Sequence, residues 1–183
     1  MPELIKPDVR VRKSFLAAMA EFREEGRGDA DDDSMIGSEH RTYGDSWHTE
    51  EGFAAYTAAL RADAREDTPR AEDRVPCTTL WWVDGDTYLA RLAIRHRLTD
   101  HLRELGGHIG YDVRPTARRR GHATAMLGAA LPIARRLGIG SALVTCDVDN
   151  VASRKVIEAH GGVFEDERGG KLRFWVPTNG AAG

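Results

Sequence analysis

The segment of the 183-residue sequence best suited to chemistry is Arg118-Arg119-Arg120-Gly121-His122-Ala123. It follows a strand-like stretch and opens a helix-like one. A turn so placed leaves successive N–H groups unpaired at a helix N-terminus, where partial positive charge collects and a phosphate can accept several hydrogen bonds. Gly121 and Ala123 contribute through what they lack, because a small or absent side chain lets a bulky pyrophosphate reach the backbone. Arg114, Arg118, Arg119 and Arg120 add guanidinium forks that suit phosphate oxygens. The turn has no Gly-Lys-Ser/Thr and no three-glycine fingerprint, which excludes a P-loop and argues against a dinucleotide site. A nucleic-acid surface would need interleaved aromatics or a wider basic face, and neither is present. The plain alternative is a solvated arginine run at the start of an ordinary helix.

Other reactive side chains are scattered. Of seven histidines, His96, His101 and His108 do not fall at the i, i+4 spacing that puts two imidazoles on one helix face. Cys77 and Cys146 lie far apart with no C-x-x-C pattern. No metal and no disulfide are expected.

The elements that must position these residues read as follows. Val11, Phe15, Leu16, Met19 and Phe22 mark a helix that Gly26 ends, after a short strand near Leu4 and Ile5. Residues 26–47, rich in Gly, Asp and Ser, read as a mobile acidic loop. Phe53, Tyr56 and Leu60 mark a second helix. Thr78 to Val83 and Thr87 to Ile94 form a hairpin around Asp84-Gly85-Asp86. Trp81 and Trp82 then point to opposite faces, one into the core and the other lining a groove or a covered edge. Residues 106–115 form a strand stopped by Pro115. The helix after Gly121 buries Met126, Leu127, Ala130, Leu131, Ala134 and Leu137 and is kinked at Pro132. Ala142 to Asp147 is a strand, and Asn150 caps a helix ending at Gly161-Gly162. Two short strands and a flexible tail, residues 177–183, complete an α/β fold with a mixed sheet.

Length and composition fit one soluble globular domain, with 41% apolar and 30% charged residues. A net charge of −3 gives no overall attraction to nucleic acid or anionic lipid. No apolar run approaches the roughly 20 residues of a membrane span, and the N-terminus lacks the apolar core of a signal peptide. The expectation is a cytoplasmic protein with neither membrane nor nucleic acid as partner.

The turn from Arg118 to Ala123 resembles the Arg/Gln-x-x-Gly-x-Gly/Ala motif of the GCN5-related N-acetyltransferases (GNAT). Pro115 stands two residues past the preceding strand. Asn150-Val151-Ala152-Ser153, opening a helix closed by Gly161-Gly162, resembles that family's second block. The likeness runs from about Thr78 to Val176 and is nearest a group of functionally unassigned predicted acetyltransferases that share Arg95-His96 and Gly106-Gly107-His108-Ile109-Gly110-Tyr111. It implies a three-layer fold, a twisted mixed sheet with two splayed parallel strands flanked by helices. Residues 1–75, two helices and the acidic loop, would form the acceptor side of one domain, and residues 76–176 the acetyl-CoA core.

Carried over residue by residue, the resemblance gives Tyr111, Asp112 and Val113 as the edge that pairs with the pantetheine arm. Arg118, Arg119, Arg120, Gly121, His122, Ala123 and Thr124 would hold the pyrophosphate, with Asn150 and Ser153 near the pantetheine. Acetyl-CoA would be the acyl donor, with no metal. A primary amine would attack it directly, whether on a small molecule, an amino-acid derivative, or a protein N-terminus or lysine, while the Val113 N–H polarises the thioester. The family's usual acid and base positions are Ile157, Thr145 and Gly107 here. The substitutes are His108 first, as base or water relay, then Asp147, with His96 behind them. Loss of the usual pair makes a non-catalytic acyl-CoA binder or sensor the alternative. Many relatives dimerise through the terminal strands, which makes a homodimer an option.

Overall fold

A computed structural model describes residues 1–180. The chain runs β1 (Glu3–Ile5), α1 (Arg12–Glu24), α2 (Met35–Tyr43), α3 (Glu50–Ala62), β2 (Cys77–Asp84), β3 (Thr87–Arg95), β4 (Ile109–Val113), α4 (His122–Arg136), β5 (Ser141–Asp147), α5 (Val151–Ala159), β6 (Val163–Arg168) and β7 (Lys171–Pro177). The seven strands form one mixed sheet in the order β1-β2-β3-β4-β5-β7-β6. Among the described residues, no helix is long and apolar enough to cross a membrane.

Strand alternation divides the core between the two faces. Leu80, Trp82, Leu92 and Ile94 meet Met126, Leu127, Ala130 and Ile157 of α4 and α5. Trp81, Val83 and Tyr88 meet Phe15, Trp47, Phe53 and Tyr56 on the other face. Phe15 stacks on Trp81 at 5.3 Å and meets Trp47 edge-on at 4.9 Å. Both tryptophans of the hairpin are therefore buried core residues, which corrects the expectation that one of them lines a groove.

Residues 26–47 also differ from the expectation. The Asp32 carboxylate accepts the Gly28 and Ser34 N–H groups, and Ser34 caps α2 by accepting the Gly37 N–H. Ile36 and Trp47 are buried. This segment is a folded helix tied at its start, where composition alone reads as loop. α4 runs through Pro132 without interruption, with the proline on its exposed side. The proposed tail begins fixed, since the buried Thr178 hydroxyl donates to Ile139 O at 2.6 Å. Residues 181–183 lie outside the described residues.

The parallel pair β4 and β5 is registered at one position, Ile109 with Val144. β5 pairs along its whole length with β7 instead. The two central strands thus part after Ile109 and leave a gap toward Val113.

Candidate functional site

The free groups at this gap follow from the register. Arg95 N donates to His108 O and Arg114 N to Leu89 O, which fixes the hydrogen-bonded pairs of the β3–β4 ladder. Because such pairs alternate, the main-chain groups of residues 110 and 112 face β3, while those of Tyr111 and Val113 face the gap. An extended ligand arm could add there as a strand does.

The turn that follows completes a groove of about 730 Å³, whose walls come from β4, the residue 117–124 turn and the start of α5. Gly121 caps α4 with φ 77° and ψ 4°, a left-handed conformation that glycine adopts without strain. A Cβ built there would meet no protein atom within 4 Å, so the space it leaves is open. The non-glycine Arg119 also has positive φ, 61°. Among the described residues, the N–H groups of residues 119–124 have no acceptor, and the first α4 bond runs from Ala125 N to Gly121 O. These free N–H groups stand at the helix start that the sequence singles out, where an anion could accept from them.

The arginines divide in their roles. Arg119 lines the groove, whereas Arg120 is exposed outside it. Arg118 sits at the rim with its guanidinium engaged by both Glu25 oxygens, at 2.6 and 2.9 Å, and by Val113 O. Arg114 is held by Glu21 at 2.7 Å and by Ser14. The four guanidiniums that the sequence groups together are thus placed differently. The turn's N–H groups and Arg119 face the groove, while Arg114 and Arg118 tie α1 to the turn.

Asn150 caps α5 by accepting the Ser153 N–H at 3.1 Å and lines the groove beside Ser153. Across the groove, the Tyr111 hydroxyl and Ser153 Oγ lie 2.7 Å apart. Burial pushes the Tyr111 phenol up to about 12, with the Ser153 bond opposing it. His122 accepts from Trp82 Nε1 at 3.2 Å, and Asp112 pairs with Arg27 at 2.9 Å.

The proposed proton carriers sit elsewhere. His108 Nδ1 accepts the Leu143 N–H at 2.9 Å while the His108 N–H donates to Leu143 O at 2.7 Å. Both bonds fasten β4 to β5 below the split. Burial, then the Arg103 and Arg95 charges, hold the ring at about 4. With its Nδ1 lone pair used and the groove walls formed by other residues, His108 fastens the two strands and does not line the groove. Asp147 is half exposed, pairs with Lys171 at 2.5 Å and lies outside the groove. His96 is bonded to Thr78 at 2.7 Å. Gly107 stands where a Cβ would come within 2.5 Å of Leu143 O, so a glutamate cannot replace it without moving β5. Thr145 donates its hydroxyl to Leu105 O, and Ile157 is core.

Glu25, Arg27, Ala117, Ala152, Lys155 and Val156 of the groove were not marked by the sequence. The α5 residues were accessible by helical spacing from Ser153. Glu25 and Arg27 were not, since their partners are more than 80 positions away.

A family model described as acetyltransferase (GNAT) domain matches residues 27–163, well over half of the chain, and the chain belongs to this family. A comparison with curated proteins gave no significant sequence match. Among solved structures it is similar to Mycobacterium smegmatis RimJ in complex with CoA-disulfide, with a TM-score of 0.66 and 17% identity, covering 97% of this chain and 82% of that one. It is also similar to the PaiA N-acetyltransferase of Thermoplasma acidophilum in complex with coenzyme A, with a TM-score of 0.57 and 11% identity over 97% and 99% of the two chains. The self-immunity acetyltransferase MccE in complex with acetyl-CoA and AMP gives a TM-score of 0.62 and 11% identity, over 96% of this chain and 92% of that one. At these identities the likeness is one of fold, and it is that of the GNAT mixed sheet.

Proposed function

We propose that the protein transfers the acetyl group of acetyl-CoA to a primary amine by direct attack in a ternary complex. The observation that carries this reading is the gap after Ile109, where Tyr111 and Val113 present main-chain groups to no strand, leading directly to the unpaired N–H groups of residues 119–124. A pantetheine arm fits the first feature and a pyrophosphate the second.

In this reading the N–H of Val113 or Tyr111 donates to the thioester oxygen and stabilises the charge that develops there. The ammonium first releases one proton to water. The neutral nitrogen then attacks the carbonyl carbon and gives up its second proton to water, and collapse of the tetrahedral species breaks the C–S bond. The thiolate takes a proton, so the balance is ammonium plus acetyl-CoA to amide, CoA thiol and one proton. The Tyr111 and Ser153 hydroxyls, bonded to each other on the groove wall, are the donors we assign to the thiolate. Holding the two reactants together contributes the larger share of the acceleration. We place the enzyme in the cytoplasm.

Thiol release from acetyl-CoA, followed across a panel of amines, tests this. Amine-dependent release with an N-acetylated product is expected. Tight CoA binding without release by any amine would leave an acyl-CoA binder.

A further inference from the structure

On the sheet face that carries α1, α2 and α3, a second cavity of about 400 Å³ opens between α2, the inner ends of β2 and β3, and the turn before β4. Two arginines of β3 reach its wall, and they differ in one respect. Arg91 is answered, because it pairs with Glu39 at 2.9 Å and Glu39 also accepts the Tyr56 hydroxyl. Arg95 is not. Its Nη1 donates to Gly106 O at 2.9 Å and Gly107 O at 3.3 Å, and among the described residues no carboxylate forms an ion pair with it. A largely desolvated guanidinium without a counter-charge is costly to keep, and an anionic ligand would supply one.

Gly110 of β4 packs under two of the residues that line the cavity. A Cβ built on that residue would stand 3.4 Å from Arg95 Nη1 and 3.4 Å from Met35 Sδ, both of which line the cavity. The next residue, Tyr111, turns its main-chain groups into the β4–β5 gap. A ligand beside Arg95 therefore lies on the sheet face opposite α4 and α5, with β4 between it and the gap.

We propose that this cavity holds the acceptor and that the acceptor is a small amino acid, an amine that also carries a carboxylate. Arg95 takes the carboxylate, and the amine is presented past Gly110 to the thioester. Besides Arg95, Arg91 and Arg74, the cavity carries four carboxylates, Asp33, Glu39, Asp63 and Asp73. Acidic walls favour an ammonium group and disfavour a phosphate dianion, so the two ends of a zwitterion match the two signs present. The inference rests on the acetyl-transfer reading and narrows its acceptor.

The test compares kcat/KM for amino acids with that for their methyl esters, the corresponding decarboxylated amines and aminophosphonates. The wild-type enzyme is expected to favour the carboxylate by at least about tenfold, because a site built to bind a polar group rejects analogues that lack it. Arg95→Lys keeps a charge that can bond Gly106 O and should lose part of the preference. Arg95→Met should bring the ratio near one by lowering kcat/KM for the amino acids several-fold more than for the decarboxylated amines, a selective loss that a purely structural arginine would not give. A carboxylate no better than its ester, a phosphonate that is better, or a preference intact in Arg95→Met overturns the proposal. If no amine releases thiol, the transfer reading fails, and calorimetry of the CoA-saturated wild-type protein decides this inference separately. Binding of amino acid but not ester sustains it, and binding of neither or both overturns it.

Discussion

His108 accepts the Leu143 N–H on Nδ1 at 2.9 Å and donates its own N–H to Leu143 O, so one residue closes the foot of the gap between β4 and β5. The ring must be neutral to accept. Its value in the fold, about 4 against an ordinary 6.5, means that the unfolded chain binds the extra proton across that interval. Stability from this group is fully present above about pH 6.5 and is lost as pH falls toward 4, by up to about 3 kcal/mol. His40 and His96 are also held down by burial, so the wild-type profile sums several groups. Asparagine offers an acceptor oxygen without a titration. Denaturant melts of His108→Asn between pH 7 and 4.5 should be flatter than those of wild type, with kcat retained at pH 8; a large kcat loss there would restore a proton role.

Gly121 makes no contact that a side chain would displace, yet it holds φ 77° beside open groove. Gly121→Val should cost about 1–2 kcal/mol of stability from the left-handed backbone. It should weaken CoA by more than about tenfold, since the branched side chain occupies the phosphate's approach. Calorimetric CoA titrations alongside thermal melts separate the two effects, and unchanged affinity would detach the turn from phosphate binding.

The arginine run should not behave as a unit. Arg119→Ala should lower CoA affinity and reduce its salt dependence, whereas Arg120→Ala should leave affinity within about twofold. Arg118→Ala removes a partly exposed ion pair with Glu25, worth about 0–1 kcal/mol, and should act mainly by loosening α1. Equal losses in all three would argue for a diffuse basic patch instead.

Tyr111→Phe tests the hydroxyl pair. A proton donor to the thiolate should lower kcat by roughly a hundredfold or more with little change in CoA affinity. Because burial lifts the phenol to about 12, wild-type activity that needs its proton should persist through pH 10. Ser153→Ala should share part of the loss without adding fully to it.

The Glu39–Arg91 pair is 12% and 5% exposed. Removing one charge strands the other, so Glu39→Ala should cost roughly 3–5 kcal/mol in denaturant unfolding, and Glu39→Gln with Arg91→Met should cost less than the sum.

These residues show how far the sequence could be read. The turn at Gly121 and the cap at Asn150 are local devices, fixed by neighbours within a few positions, and they were legible with the strands and helices around them. α2 was not, because nine residues with Gly37 and Ser38 carry a weak apolar stripe, and the segment is held by Ile36, Trp47 and the Asp32 carboxylate. Charge partners were the other blind spot. Glu25, Glu21 and Glu39 decide which arginines are free, and each lies more than 50 positions from the arginine it engages. His108 read as a proton carrier because its residue type is suited to one; only the register against Leu143 shows its lone pair in use.

In the proposed complex CoA adds along β4 as a strand and caps the helix behind Gly121. Amide hydrogen exchange with and without CoA reads this directly. Strong new protection is expected at Tyr111 or Val113 and across Arg119 to Thr124, with the β2–β3 hairpin unchanged. Saturating CoA that leaves those amides exchanging at their free rates would contradict it.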